Sequence, residues 1–264
     1  KSLAKEDVSI RVITRGTQDH FFSQYENVSE VIHTNNFFTE STIWYEEACQ
    51  DVDIIIHVAW YAEPGKYLES PLNLECLAGT LNFAKSACKQ GIKKFVGVGT
   101  CFEYDLTHSS PLDINAPLNP QFLYSTAKVN AFLLLSKYFK NENIDFLWTR
   151  IFYLYGEDED ERRLVAVLRK KLALGEPVDL TSGTQTRDFM DVKIAGSMIA
   201  SAALGMNVGP FNVCSGEGRS IKELAESIAD EYGKKELLNF GAREDNLADA
   251  PYVVGLKTKI LDAP

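Results

Sequence analysis

Residues 51–60 read "DVDIIIHVAW". The run is continuously apolar rather than alternating, and a strand of that kind is buried on both faces, as strands inside parallel sheets are. Its neighbours decide whether such a sheet exists. Upstream, "VSIRVIT" (8–14) and "SEVIHT" (29–34) have the β-branched richness of strands, and "STIWYEEACQ" (41–50) reads as a helix. Downstream, "LAGTLNFAKSACKQG" (77–91) has helical periodicity ending at Gly91. Then come "IKKFVGVGT" (92–100) as strand, "LYSTAKVNAFLLLSKYFKN" (123–141) as helix and "IDFLWTRIF" (144–152) as strand. Strands alternating with helices of this length imply right-handed βαβ units, hence an α/β protein with a Rossmann-like doubly wound parallel sheet.

Past Gly156 the rhythm changes. "DERRLVAVLRKKLALG" (160–175) is an amphipathic helix, "PVDLTSG" (177–183) a short strand, "KIAGSMIASAALG" (193–205) a helix and "GPFNVCSG" (209–216) a strand. "SIKELAESIADEYG" (220–233) opens with Ser220 and Glu223 at capping-box spacing. These elements are expected to form a smaller α/β region over one end of the sheet. The division reads as 1–151 plus about 188–204 for the main sheet region, and 152–187 with 205–264 for the smaller one.

The 264 residues are enough for a substantial core, and a net charge of −10 argues against a broad nucleic-acid face. The longest apolar runs are far shorter than a membrane span, so no membrane partner is expected. Five cysteines without C-x-x-C spacing fit a reducing cytoplasm, and four scattered histidines suggest no metal site.

In open α/β sheets ligands lie beyond the carboxyl ends of the strands. Thr100 follows a strand directly, and Tyr124 and Lys128 sit one turn apart on one face of the next helix. A cationic Lys128 beside Tyr124 favours the phenolate, making the tyrosine an acid/base near neutrality. Thr100 can donate to a carbonyl oxygen on which charge develops. The competing reading is a surface Tyr–Lys pair and a helix-capping threonine.

Several segments together resemble the extended short-chain dehydrogenase/reductase family, in its nucleotide-sugar epimerase, dehydratase and reductase branch. "DVDIIIHVAW" resembles D-x-V-I-H-x-A-A, "GTCFEYD" resembles S/T-S-x-x-V-Y-G, and "YSTAK" matches Y-x-x-x-K. "TRIFYLYG" is similar to R-x-F-N-V-Y-G-P, "QTRDFMDV" to Q-x-R-D-F-V-x-V-D-D, and "PFNVCSGEGRSIKELAESI" to the motif that follows. The resemblance implies catalysis by Thr100, Tyr124 and Lys128, with Lys128 on the nicotinamide ribose. It implies cofactor contacts from Thr14, Arg15, Asn36, Ala59, Lys128 and Tyr153, and substrate contacts from Tyr61, Glu63, Cys101 and Arg187. A homodimer through the helices around 79–90 and 124–140 is also implied.

Departures from the pattern narrow the function. The glycine-rich turn and its preceding strand are absent, so Lys1 reads as the start of an incomplete chain. Arg15 ends the second strand where an NAD binder offers an acid, which favours NADP (NADPH) over NAD. The dehydratase Asp-Glu pair is replaced by Cys101 and Phe102, and Cys101 itself reads as a small packing residue. Tyr153 replaces the diphosphate-contacting Asn, while Arg187 is retained with its fork geometry. Its competing role is an ion pair with Asp188 or Asp191. His57 reads as structural, and "EDEDE" (157–161) as a solvated helix N-terminus. The leading expectation is NADPH-dependent reduction of a nucleotide-linked 4-keto-6-deoxyhexose. The alternatives are an NAD-dependent 4-epimerase and a non-catalytic NADP sensor or scaffold.

Overall fold

The structure, a computed structural model, describes residues 1–16, 19–246 and 249–262. Residues Ser2–Lys5 form a 3-10 turn. β1 (Ile10–Thr14), α1 (Asp19–Phe22), β2 (Val28–His33) and α2 (Thr42–Ala48) follow. Next come β3 (Ile54–His57), α3 (Leu72–Lys89), β4 (Lys94–Thr100), α4 (Leu123–Glu142) and β5 (Asp145–Ile151). β1 pairs in parallel with β2, while β3, β4, β5 and β10 (Gly209–Val213) form a four-stranded parallel sheet in the order β10-β5-β4-β3. The α/β parallel architecture expected from the sequence is present.

The pleat divides each strand between two cores, because successive side chains point to opposite faces. Phe95 on β4 and Phe146 and Trp148 on β5 turn toward α3 and α4, packing on Phe83, Ala87, Leu135 and Phe139. Val96 and Leu147, one position along, turn the other way against Ala195, Ala202, Ala203 and Phe211. Those alanines belong to α6 (Val192–Leu204). The continuous apolar writing of these strands follows from both faces being covered.

The remaining elements are β6 (Tyr153–Tyr155), α5 (Leu164–Leu174), β7 (Val178–Asp179), β8 (Thr186–Arg187) and β9 (Phe189–Asp191), then β11 (Arg219–Ser220), α7 (Ile221–Tyr232), β12 (Leu238–Asn239) and β13 (Tyr252–Val253). β6 pairs with β9, β7 with β12, and β8 lies between β11 and β13. α5 and α7 share a separate core around Leu168, Leu172, Leu224 and Ile228. The capping box forms as the spacing indicated, with the Ser220 hydroxyl accepting from the Glu223 amide at 3.1 Å and the Glu223 carboxylate accepting from the Ser220 amide at 2.8 Å.

Three boundaries differ from the sequence reading. α3 begins at Leu72, one turn and more before the expected start, with Pro71 at its N-cap. α5 begins only at Leu164, so the acidic run 157–161 lies in the loop before the helix rather than at its first turn. Three of its five charges are paired: Glu157 with Lys1 and Lys193, Asp160 with Arg162 and Glu161 with Lys170. Finally, β10 sits on the main sheet beside β5, although the sequence division placed residues 205–264 in the smaller region.

Candidate active site

Parallel pairing brings the carboxyl ends of β3, β4 and β5 to one edge, with Thr100 opposite Ile151 and His57 opposite Gly97. Thr100 is the last residue of β4 and is buried. Its hydroxyl accepts from the Phe102 amide at 3.3 Å, and Glu103 Oε1 accepts from the Thr100 amide at 2.9 Å. This capping box around the turn Cys101–Glu103 sets the threonine at the sheet edge.

α4 enters from Phe122, which places Tyr124 in its first turn and Lys128 one turn on, facing the same crevice. Lys128 is buried, and its Nζ donates to the Val98 carbonyl at 2.6 Å. The ammonium also lies 3.8 Å from the centroid of the Trp60 ring and 5.9 Å from that of Tyr124. The Thr100 side chain is near enough to the Tyr124 phenol to act on its titration. Hydroxyl, phenol and amine therefore converge, as the spacing of the three residues implied.

Their electrostatics depart from expectation. The sequence reading had a cationic Lys128 lowering the pKa of Tyr124. Instead burial dominates: it holds the Tyr124 phenol above its ordinary value, with Tyr67 and Glu103 adding to the rise and the Thr100 side chain opposing it. Burial likewise pushes Lys128 down to about 7, against the pull of Glu103. A buried lysine poised near neutrality is a weaker permanent charge than the sequence argument assumed, and removal from water outweighs one neighbouring charge.

Tyr67 stands edge-on to Tyr124 with centroids 4.8 Å apart, and Trp60 lies at 6.5 Å. Tyr153 packs 6.1 Å from Phe102, and the Arg187 guanidinium lies 5.4 Å from the Tyr153 ring. Arg187 is buried and lies 2.7 Å from Asp249, not against Asp188 or Asp191. Asp188 is taken up by the Ser215, Gly216 and Gly255 amides, and Asp191 caps α6. Cys101 is buried under this region among Tyr104, Phe152 and Cys214, and burial pushes its thiol up to about 12. It is neither a nucleophile nor an acid near neutrality.

Tyr61 donates to Glu63 at 3.0 Å, and Glu63 pairs with Lys66 at 2.8 Å and approaches Arg162 at 3.6 Å. These two residues thus tie the loop after β3 to the loop before α5. On the cofactor side, Thr14 donates to the Arg15 carbonyl at 3.2 Å, and Arg15 is exposed just past β1. Asn36 caps the turn Phe37–Thr39, and Ala59 is exposed beyond β3. Arg15, Asn36 and Ala59 are exposed and Thr14 half-buried, so these residues could border a dinucleotide lying beyond the carboxyl ends of the strands. His57 is buried, bonds Thr80 at 2.9 Å, and is driven down to about 3 by burial, so it is a neutral structural residue.

Sequence reasoning missed Trp60, Tyr67 and the network beneath Thr100. Glu103 and Arg150 are both buried and paired at 2.7 Å, and Trp148 Nε1 donates to Glu103 at 3.0 Å. Arg150 also donates to Tyr104 at 3.2 Å, which donates to Asn212 at 2.6 Å. The capping-box spacing of Thr100 and Glu103 was a usable signal. Close packing explains the glycines of "GVG": a Cβ at Gly97 would meet the Trp148 ring at 2.4 Å, and one at Gly99 would meet Glu103 at 2.2 Å.

A parallel sheet flanked by helices, with threonine, tyrosine and lysine gathered beyond its carboxyl edge, marks a Rossmann-like α/β protein. The model of the NAD dependent epimerase/dehydratase family matches residues 1–214. The chain is 27% identical over 190 residues to dTDP-6-deoxy-L-talose 4-dehydrogenase (NAD(+)) of Aggregatibacter actinomycetemcomitans, covering 70% of this chain and 68% of that protein. It is 30% identical over 127 residues to CDP-abequose synthase of Salmonella muenchen, covering 45% of this chain and 43% of the relative. In structure it is similar to a UDP-N-acetylglucosamine 4-epimerase from Methanobrevibacter ruminantium M1, with a TM-score of 0.85, 19% identity, and coverage of 97% of this chain and 84% of that one. The chain belongs to the NAD-dependent epimerase/dehydratase family, enzymes of the extended short-chain dehydrogenase/reductase type. No helix among the described residues is long and apolar enough to cross a membrane.

Proposed function

We propose that the protein is an oxidoreductase acting at C4 of a nucleotide-linked 6-deoxyhexose, working as a reductase of the 4-keto sugar. One observation carries this reading: Thr100, Tyr124 and Lys128 converge at the sheet edge while no free carboxylate follows Thr100. Cys101 and Phe102 occupy the next positions, and Glu103 is buried and paired with Arg150. Water elimination needs an available carboxylate acid and base, whereas carbonyl reduction needs one proton donor and one polarising group.

In this scheme the nicotinamide supplies the hydride that adds to C4 when it is bound. Tyr124 gives its proton to the carbonyl oxygen, which becomes the hydroxyl. The Thr100 hydroxyl donates to that oxygen and stabilises the charge gathering there. Lys128 in its charged form binds the cofactor ribose and eases loss of the Tyr124 proton. Arg187, seated against Tyr153, binds the diphosphate by exchanging its contact with Asp249. Thr14, Arg15, Asn36 and Ala59 line the adenosine half, with Arg15 suited to a 2′-phosphate. The relative named for NAD(+) supports NAD as the alternative cofactor.

Residues 1–151, 188–204 and the strand 209–213 would carry the dinucleotide, and the rest the sugar nucleotide. Exposed Leu72, Leu74, Leu133 and Leu134 on α3 and α4 support a homodimer through these helices, and five free cysteines support a reducing cytoplasm. The test is to incubate full-length protein with NADPH or NADH and a panel of nucleotide-linked 4-keto-6-deoxysugars, following loss of reduced-nicotinamide absorbance. Oxidation that disappears in Tyr124→Phe supports the reading. Interconversion of hydroxyl epimers without net oxidation overturns it in favour of an epimerase.

A further inference from the structure

Lys128 is held from two sides. On one, its Nζ donates to the Val98 carbonyl at 2.6 Å. On the other lies the face of Trp60, with its centroid 3.8 Å away. The segment this chain resembles, D-x-V-I-H-x-A-A, ends in alanine where the sequence has Trp60, so the indole adds bulk that the motif does not provide. It is fixed in place: Trp60 Nε1 donates to Asn73 Oδ1 at 2.8 Å. Asn73, fully buried on α3, spends its amide on the carbonyls of Tyr67 at 2.7 Å and Ser70 at 2.9 Å. Both amide hydrogens are thereby used, and the oxygen is left aimed at the indole. The next residue is secured too, the Tyr61 amide donating to Cys76 Sγ at 3.4 Å.

We propose that Trp60 is a positioning residue for Lys128, a clamp whose π-face, oriented by Asn73, fixes the ammonium against the Val98 carbonyl and favours its charged form. Of the other groups around Lys128, Glu103 also favours the charged form, but no other ring lies as close over the ammonium as the indole does. His57 from β3 is neutral, and burial raises the Cys76 thiol of α3 and the Tyr124 phenol of α4, keeping both protonated. Glu103, beyond β4, is committed to Arg150 of β5. The Trp148 ring is more distant, at 6.0 Å. A cation over an indole face is electrostatically favourable, most so with Trp and where water is excluded, and Lys128 is 3% exposed. Burial drives this amine toward its neutral form against the pull of Glu103, and the clamp adds the indole face to that opposition.

The inference rests on the reductase reading only in taking Lys128 as catalytic, and its test requires no turnover. Protein carrying [ε-13C]lysine is titrated by NMR, the Lys128 resonance being assigned by its loss in Lys128→Met. In Trp60→Leu, which stays apolar but has no π-face, the Lys128 midpoint falls by about one pH unit; Trp60→Phe recovers part of the shift. Trp60→Met repeats the test if the leucine variant does not fold, as judged by circular dichroism. A midpoint that stays put or rises in the folded non-aromatic variants overturns the clamp. Failure here leaves the reductase reading standing, and a failed reductase assay leaves this titration interpretable.

Discussion

At the scale of single residues, two buried groups make stability depend on pH, and the sign follows from proton counting. Lys128 is pushed from 10.5 to about 7, so between those values the unfolded chain holds a proton that the folded chain has shed. Stability then rises with pH across that window. His57 is lowered from 6.5 to about 3, so its contribution is complete above 6.5 and is lost as the pH falls toward 3. Urea unfolding at a series of pH values should show both slopes, with Lys128→Met flattening the upper one. An unchanged upper slope in that variant would contradict the buried-lysine picture. Legibility at this scale was uneven. Thr100, Tyr124 and Lys128 could be placed at one crevice from spacing because a strand end and one helical turn are local geometry, although their catalytic reading needed the resemblance. Trp60 and Tyr67 could not, since their approach to Lys128 and Tyr124 depends on where the loop after β3 folds.

At the scale of elements, the capping box on α7 was readable because its partners are three residues apart. Ser220→Ala should destabilise the protein by about 1 kcal/mol in chemical denaturation, since it leaves the Glu223 amide without its acceptor. The start of α5 was not readable in the same way. The acidic run at 157–161 looks like a favourable first turn, but Glu157 and Glu161 form pairs with Lys193 and Lys170, and the helix waits for Arg163 as its cap. In β4 the small residues answer to packing across the sheet. Gly99→Ala should force the Trp148–Glu103 contact apart, lowering stability and displacing Thr100, and a thermal melt equal to the parent's would exclude that account.

At the scale of the whole molecule, the Glu103–Arg150 pair joins the turn after β4 to β5, and through Tyr104 to Asn212 on β10. A buried pair broken on one side leaves an uncompensated charge. Arg150→Leu should therefore cost about 3–5 kcal/mol, while Glu103→Leu with Arg150→Leu should recover much of the loss. Denaturant titration of the two variants decides the matter, and equal losses would mean that shape, not charge, sets the penalty. By itself the sequence determined the parallel α/β sheet and the placement of the three catalytic candidates, because period, cap spacing and strand ends are short-range properties. Tertiary structure alone decided three things: that β10 joins the main sheet, that Arg187 meets Asp249, and that Lys128 lies beneath Trp60 with its charge weakened by burial. Each brings together residues distant in the chain, or removes a group from water, and neither event leaves a local mark in the order of amino acids.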